Sequence, residues 1–232
     1  MSTTTQYTLP EVDEILQEVR ESERQYDGDL RIASRTEAVL PVEVFADGEL
    51  ECFSFTKNVS ATGVYLISPQ PFFDGEQTQL RLSGLRQRSP LLPATCRWTR
   101  TFGTSFWASG WQVHCGIDVD KVLSEDRELS FDQRDSDRER LAIPVMVHPK
   151  NGSKMHCFSR NFGPQGVCLI GQQRPKVNEF YLLEIVRSNG ARDSLVAQCK
   201  WDFKVGNAFW ISGWQFPNDQ GVAQAQMQYF EL

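Results

Sequence analysis

Apolar and polar residues alternate in short runs along most of this chain. Val42 and Val44, Phe53 and Phe55, Val64 and Leu66, and Leu80 and Leu82 each stand two positions apart. A period of two sends successive side chains to opposite faces of an extended backbone, so these runs predict β-strands. Six are expected, near 39–45, 50–57, 63–68, 77–83, 92–99 and 105–113. Turn pairs punctuate the pattern, Asp47-Gly48 early and Asn151-Gly152 later. Short, regular strands with tight turns predict an antiparallel barrel, which leaves no open edge. Helical spacing replaces the alternation at Val12, Ile15, Leu16 and Val19, where Thr8 can cap and Pro10 suits a first turn, so a helix is expected over 10–24. Short helices are also expected around 122–129 and in the tail, 220–232.

The strand pattern recurs at an offset of about 103 residues. All six tryptophans pair at that offset: Trp98, Trp107 and Trp111 answer to Trp201, Trp210 and Trp214. About 25 of the 83 positions from Arg31 to Val113 are identical in the two copies, without a gap. Solenoid units run only to about 50 residues, so this is a duplicated domain. The fold class expected is mainly β: two tandem six-stranded antiparallel β-barrels with a short N-terminal helix. The expected division is an acidic helical segment at 1–29, a first barrel at 30–120, a linker at 121–132, a second barrel at 133–217 and a tail at 218–232.

Charge changes this picture in one place. The chain carries −6 overall, and residues 1–30 account for it, with eight acidic side chains against Arg20 and Arg24. The rest is balanced, which argues against a broad nucleic-acid surface while leaving room for a small anion held by a few placed arginines. No apolar run reaches the 18 or so residues of a membrane span, and the first residues do not resemble a signal peptide, so a cytoplasmic protein is expected. The six cysteines lack CxxC spacing and read as reduced core residues. His114-Cys115 and His156-Cys157 fall at non-equivalent places in the repeat and lack zinc-ligand spacing, so no metal is expected.

Each copy opens with two arginines four apart, Arg31 and Arg35 in the first, Arg134 and Arg138 in the second. About 23 residues on comes a polar turn between the second and third strands, Asn58, Ser60 and Gly63 in one copy and Asn161, Gly163 and Gly166 in the other. An arginine fork matches a phosphate or the O6/N7 edge of guanine. Asparagine offers a donor and an acceptor, serine a compact hydroxyl, and glycine lets backbone approach a flat ligand. The set suits guanine and phosphate together. Its bland alternative is a solvated arginine pair and an ordinary turn with glycine at positive φ.

These residues resemble the PilZ domain, a bacterial receptor for cyclic di-GMP, whose pattern is RxxxR followed by [DN]xSxxG at the strand 2–3 turn of a six-stranded barrel. The first copy matches at Arg31, Arg35, Asn58, Ser60 and Gly63. The resemblance implies that the arginines grip phosphates and guanine edges, that Asn58 and Ser60 bond guanine or backbone, and that Leu30, just before the first arginine, goes with one bound dinucleotide. It implies a non-enzymatic receptor, with no catalytic residues and no cofactor beyond this ligand, signalling by conformational change to an unidentified protein partner. The second copy departs from the pattern. Gly163 replaces the serine, Pro164 removes an N–H, and Asp135, Asp137 and Glu139 crowd Arg134 and Arg138. Those arginines, with Asn161 and Gly166, are at most a weak second site. The alternative function is a structural or protein-interaction pair of barrels with a vestigial site. No nucleophile elbow, phosphate-cradling glycine loop or histidine-rich set supports a hydrolase or nucleotidyl transferase.

Overall fold

The computed structural model describes Gln17 and residues 35–84, 88–102, 106–128, 142–186, 192–205 and 208–217. The expected helix at 10–24 (save Gln17) and the tail helix at 220–232 lie outside the described residues.

Two closed antiparallel β-barrels form, one from each copy. The first consists of β2 (Pro41–Ala46), β3 (Glu49–Ser60), β4 (Gly63–Ser68), β5 (Gln77–Leu82), β6 (Leu92–Phe102) and β7 (Phe106–Val113), ordered β3-β2-β5-β6-β7-β4 and closed by β3–β4 pairing. A two-residue strand, β1 (Thr36–Glu37), joins the ladder outside the expected set. It takes up the β3 edge where β2 stops, pairing Thr36 with Val59 and Glu37 with Asn58. The hairpin signal at Asp47-Gly48 holds, with φ of 50° and 83° as a primed turn requires. The second barrel repeats the order with β8 (Pro144–Pro149), β9 (Met155–Gly163), β10 (Gly166–Gly171), β11 (Phe180–Val186), β12 (Arg192–Val205) and β13 (Phe209–Gln215). The one helix lying wholly among the described residues, α1 (Val119–Glu128), is opened by an N-cap bond from the Lys121 N–H to Asp118 Oδ1 at 3.0 Å. It turns back on the first barrel, where Leu123 joins the core and Val119 and Val122 pack against it.

Each barrel buries its own interior. Val42, Val44, Val64, Leu66, Leu80, Leu82 and Trp111 fill the first; Val145, Val147, Val167, Leu169, Leu183, Ile185 and Trp214 fill the second. The repeated Ser-Gly-Trp triplet now has a physical basis. A buried indole N–H needs an acceptor, and Trp111 and Trp214 each donate to the serine two residues back, Ser109 or Ser212, at 2.8 Å. The intervening glycine is covered on the outer face by another tryptophan. A Cβ on Gly110 or Gly213 would lie 2.1 Å from Trp98 or Trp201. The repeated cysteines are core residues: burial pushes Cys96 up to about 11 and Cys199 up to about 12, so both stay thiols.

Each long strand has one break in alternation at a matched place, and β3 has a further one at Glu51, between its Val44–Cys52 and Phe45–Leu50 pairs. In β3, Thr56 pairs with Leu66 but Asn58 pairs with Tyr65, so Lys57 is an extra residue. From Cys52 to Thr56 the even-numbered residues face inward; after the bulge Val59 fills the core and Asn58 turns outward. Arg160 is the extra residue in β9, Arg97 in β6 and Lys200 in β12. Phe53 and Phe55 therefore belong to the outer face, although their alternation reads like that of core residues. They meet the second barrel in a third apolar cluster, with the Phe55 and Phe158 rings in tilted contact at 4.4 Å between centroids.

The bulge leaves Lys57 pressed against the barrel wall, its ammonium 5.5 Å from the Tyr65 ring centroid. Burial, with Arg100 nearby, pulls its pKa down to about 8 from 10.5. A lysine depressed on folding makes the unfolded chain bind more protons between those values, so its destabilising effect is full below pH 8 and fades as pH rises to 10.5. Lys57→Met should therefore raise stability at pH 7 by about 1–2 kcal/mol after allowing for screening at a partly exposed site, with the gain shrinking toward zero above pH 10.5. Urea melts of both proteins across this range check it; a gain independent of pH would contradict the electrostatic origin.

Candidate functional site

The polar motif of the first copy lies at one end of its barrel, on the outer face. Sequence reading placed Asn58 and Ser60 in a turn; they are instead the last residues of β3, and the turn is only Ala61-Thr62 before Gly63 opens β4. The strand outlasts its expected end at 57 because β1 and β4 both supply ladder partners to it. The segment before β2 is tied down alongside. The Thr56 hydroxyl accepts from the Leu40 N–H at 2.9 Å and donates to the Ala38 carbonyl, and the Ala38 N–H donates to the Lys57 carbonyl at 3.2 Å.

That docking carries Arg35 to Asn58. Its Nη1 donates to Asn58 Oδ1 at 2.8 Å across 23 residues of sequence. The Ser60 hydroxyl donates to the Gly63 carbonyl at 3.2 Å. Gly63 is required by close approach and not by a positive φ. A Cβ there would sit 2.7 Å from the Trp111 carbonyl oxygen, and 3.8 Å from both Arg35 Nη2 and Ser60 Oγ. Four of the six first-copy residues thus converge on one patch. Leu30 and Arg31 lie outside the described residues.

Neighbours that sequence reading did not assign complete the surface. Tyr65, paired with Asn58 on β4, packs edge-on against Trp98 at 5.2 Å between centroids. Arg100 lies over Trp98 at 5.1 Å and donates from Nη2 to the Tyr65 hydroxyl at 3.1 Å. With Arg35 and Lys57 this makes a cationic wall backed by aromatic rings. The signal was available in β6, since Trp98 and Arg100 stand two apart and share a face, but the bulge at Arg97 decides which face it is.

The second copy builds a different surface. Asn161 lies in β9 two residues before its end at Gly163, and Gly166 opens β10, where a Cβ would come 2.0 Å from the Trp214 carbonyl oxygen. Gly163 supplies no hydroxyl, Cys168 stands where the first barrel has Tyr65, and Phe203, half exposed, stands where it has Arg100. Arg134 and Arg138 lie outside the described residues. The two histidine-cysteine pairs are used otherwise: His114 Nε2 is 2.8 Å from the Thr95 hydroxyl, and the His156 ring packs against Phe106. Among the described residues no cluster of three or more metal-ligating side chains occurs, and no helix is long and apolar enough to cross a membrane.

Comparison with known proteins matches the first half of the chain to a family model. The model of the PilZ domain matches residues 18–129. No curated protein matches the chain. Among solved structures the chain is similar to the PlzA protein of Borreliella burgdorferi in complex with c-di-GMP, at 11% identity and a TM-score of 0.32, covering 94% of this chain and 100% of that one. It is similar to MrkH of K. pneumonia in its c-di-GMP complex, at 12% identity and a TM-score of 0.33, covering 94% of this chain and 91% of that one. YcgR of Escherichia coli in complex with c-di-GMP gives 9% identity and a TM-score of 0.31, covering 99% of this chain and 93% of that one. The motif assembled on the first barrel lies within residues 18–129, the stretch that the PilZ domain model matches.

Proposed function

We propose that the first barrel is a cytoplasmic receptor for cyclic di-GMP, and that the chain is an adaptor without catalytic activity. The observation that carries this reading is the Arg35–Asn58 bond, which brings together the two halves of the motif. Arg31 and Arg35 grip phosphate oxygens and guanine edges, Asn58 and Ser60 bond guanine or backbone, and Gly63 keeps the surface flat. Leu30, being apolar, favours one bound dinucleotide over a stacked pair. Lys57 and Arg100 add positive charge beside the patch, and the Tyr65 and Trp98 rings give a base something to lie against.

Signalling follows from how the arginines are attached. Arg35 is held through β1, whose ladder is two residue pairs, so ligand that grips Arg31 and Arg35 stabilises one arrangement of everything N-terminal to β1. That arrangement presents the acidic residues 1–29 to an unidentified protein partner. The second barrel, which has Gly163, Cys168 and Phe203 in place of Ser60, Tyr65 and Arg100, is a structural copy that supports the first.

Calorimetric titration with cyclic di-GMP should give a dissociation constant on the order of micromolar or tighter, about −8 kcal/mol or better. Arg35→Ala should cost roughly 1.5–3 kcal/mol or more through loss of a charge-assisted bidentate contact. Unchanged affinity in both Arg31→Ala and Arg35→Ala would remove the site from this patch. Replacing Arg134 and Arg138 together by alanine should leave affinity and stoichiometry near those of the parent chain; abolition of binding would make the second barrel the receptor. Hydrogen exchange should slow on ligand addition across about 28–36 and 58–63, with a smaller change reaching 10–24. Equal exchange at 28–36 in both states would mean that the arginine segment does not act as the switch.

A further inference from the structure

The contacts between the barrels map onto themselves when each residue is exchanged for its counterpart 103 positions away. Phe55–Phe158 maps to itself, at 4.4 Å. Phe55–Phe209, edge-on at 5.6 Å, maps to Phe158–Phe106, edge-on at 5.3 Å. Phe53–Phe209 at 5.2 Å maps to His156–Phe106 at 5.8 Å. A repeat stacked by translation would join one face to a different face. Here the same face of β3, β4 and β7 meets its own counterpart on β9, β10 and β13, as at a two-fold axis passing between Phe55 and Phe158.

We infer that this face of the first barrel is a self-complementary docking surface whose fitting partner is a second copy of the same barrel, and that the chain is a homodimer made permanent by fusion. The chemistry of the face supports the choice of partner. Phe158, Phe209 and Ile170 would be replaced by Phe55, Phe106 and Ile67, which are identical, and His156 by the more apolar Phe53. Other exchanges alter volume in opposite senses: Ala108 for Ile211 is smaller, whereas Phe102 for Val205, Tyr65 for Cys168 and Val39 for Ala142 are larger. The self-pair is therefore packed less well than the fused pair and binds more weakly. Within one chain the tether holds the second barrel at an effective concentration on the order of millimolar, so the intramolecular partner occupies the face.

The inference is tested in the full chain by spoiling only the second barrel's side. Phe158→Asp with Phe209→Asp should release the first barrel's face, and sedimentation velocity should show a concentration-dependent species of two chains. Adding Phe55→Asp should return it to one chain. A folded double variant that stays monomeric to concentrations on the order of 100 µM, or association that persists with Phe55→Asp, overturns the inference. Should the double variant fail to fold, residues 35–128 serve instead, since they hold a closed ladder and their own core with α1. That fragment should sediment as two copies and, with Phe55→Asp, as one; a folded monomer without the substitution contradicts the proposal.

Discussion

A barrel strand twelve residues long cannot fill a core along its length and also aim a polar motif outward if its alternation runs unbroken. In β3 the break that sets the motif's side is Lys57. Without the extra residue, Val59 would face solvent, while Asn58 and Ser60 would enter the cavity that holds Val64 and Leu66. Burying two such groups without partners costs about 1–3 kcal/mol each, so the bulge is a condition for the motif to exist on this barrel. Its counterpart at Arg160 keeps the same geometry in a copy whose motif has changed. The long cation at the bulge lies flat along the wall, and burial disfavours its charge in both barrels.

The same strand ties the motif to the interface between barrels. Outward positions before the bulge are Phe53, partly buried against the second barrel's Phe209, and Phe55, buried against its Phe158 and Phe209; outward positions after it are Asn58 and Ser60. Each phenylalanine taken from water contributes about 1.5–3 kcal/mol, so the interface anchors β3 from outside as the core anchors it from inside. The motif end of β3 is therefore a rigid platform, whereas Arg35 is joined to it by a two-residue strand, the Thr56 hydroxyl and the bond to Asn58.

Much of this was legible in the sequence because it depends on local alternation. The six strands per copy, the Asp47-Gly48 turn and the duplicated frame follow from spacing alone. The side of each strand does not. Phe53 and Phe55 alternate as Val42 and Val44 do, yet one pair faces the other barrel and the other the interior. Only the register with a partner strand reveals a bulge, so the outward turn of Asn58 and Trp98 was hidden, as was the extension of β3 through the motif. Strand β1 was missed because two residues carry no period. The helix α1 was expected near its place, but its return onto the first barrel through Leu123 is a tertiary contact. The glycines of the motif read as turn formers, whereas Gly63 and Gly166 are set by backbone carbonyls of the neighbouring strand.

The central claim is that one outer patch of the first barrel, and not its twin, receives the dinucleotide. Amide and side-chain NMR shifts of the full chain, followed while cyclic di-GMP is added, test this most directly. The account predicts saturable shifts concentrated at Arg35, Asn58 to Gly63 and the Trp98 indole, with Asn161 to Gly166 and Trp201 little changed. Shifts centred on the second barrel, or absent from Arg35 and Asn58 at saturation, would contradict it.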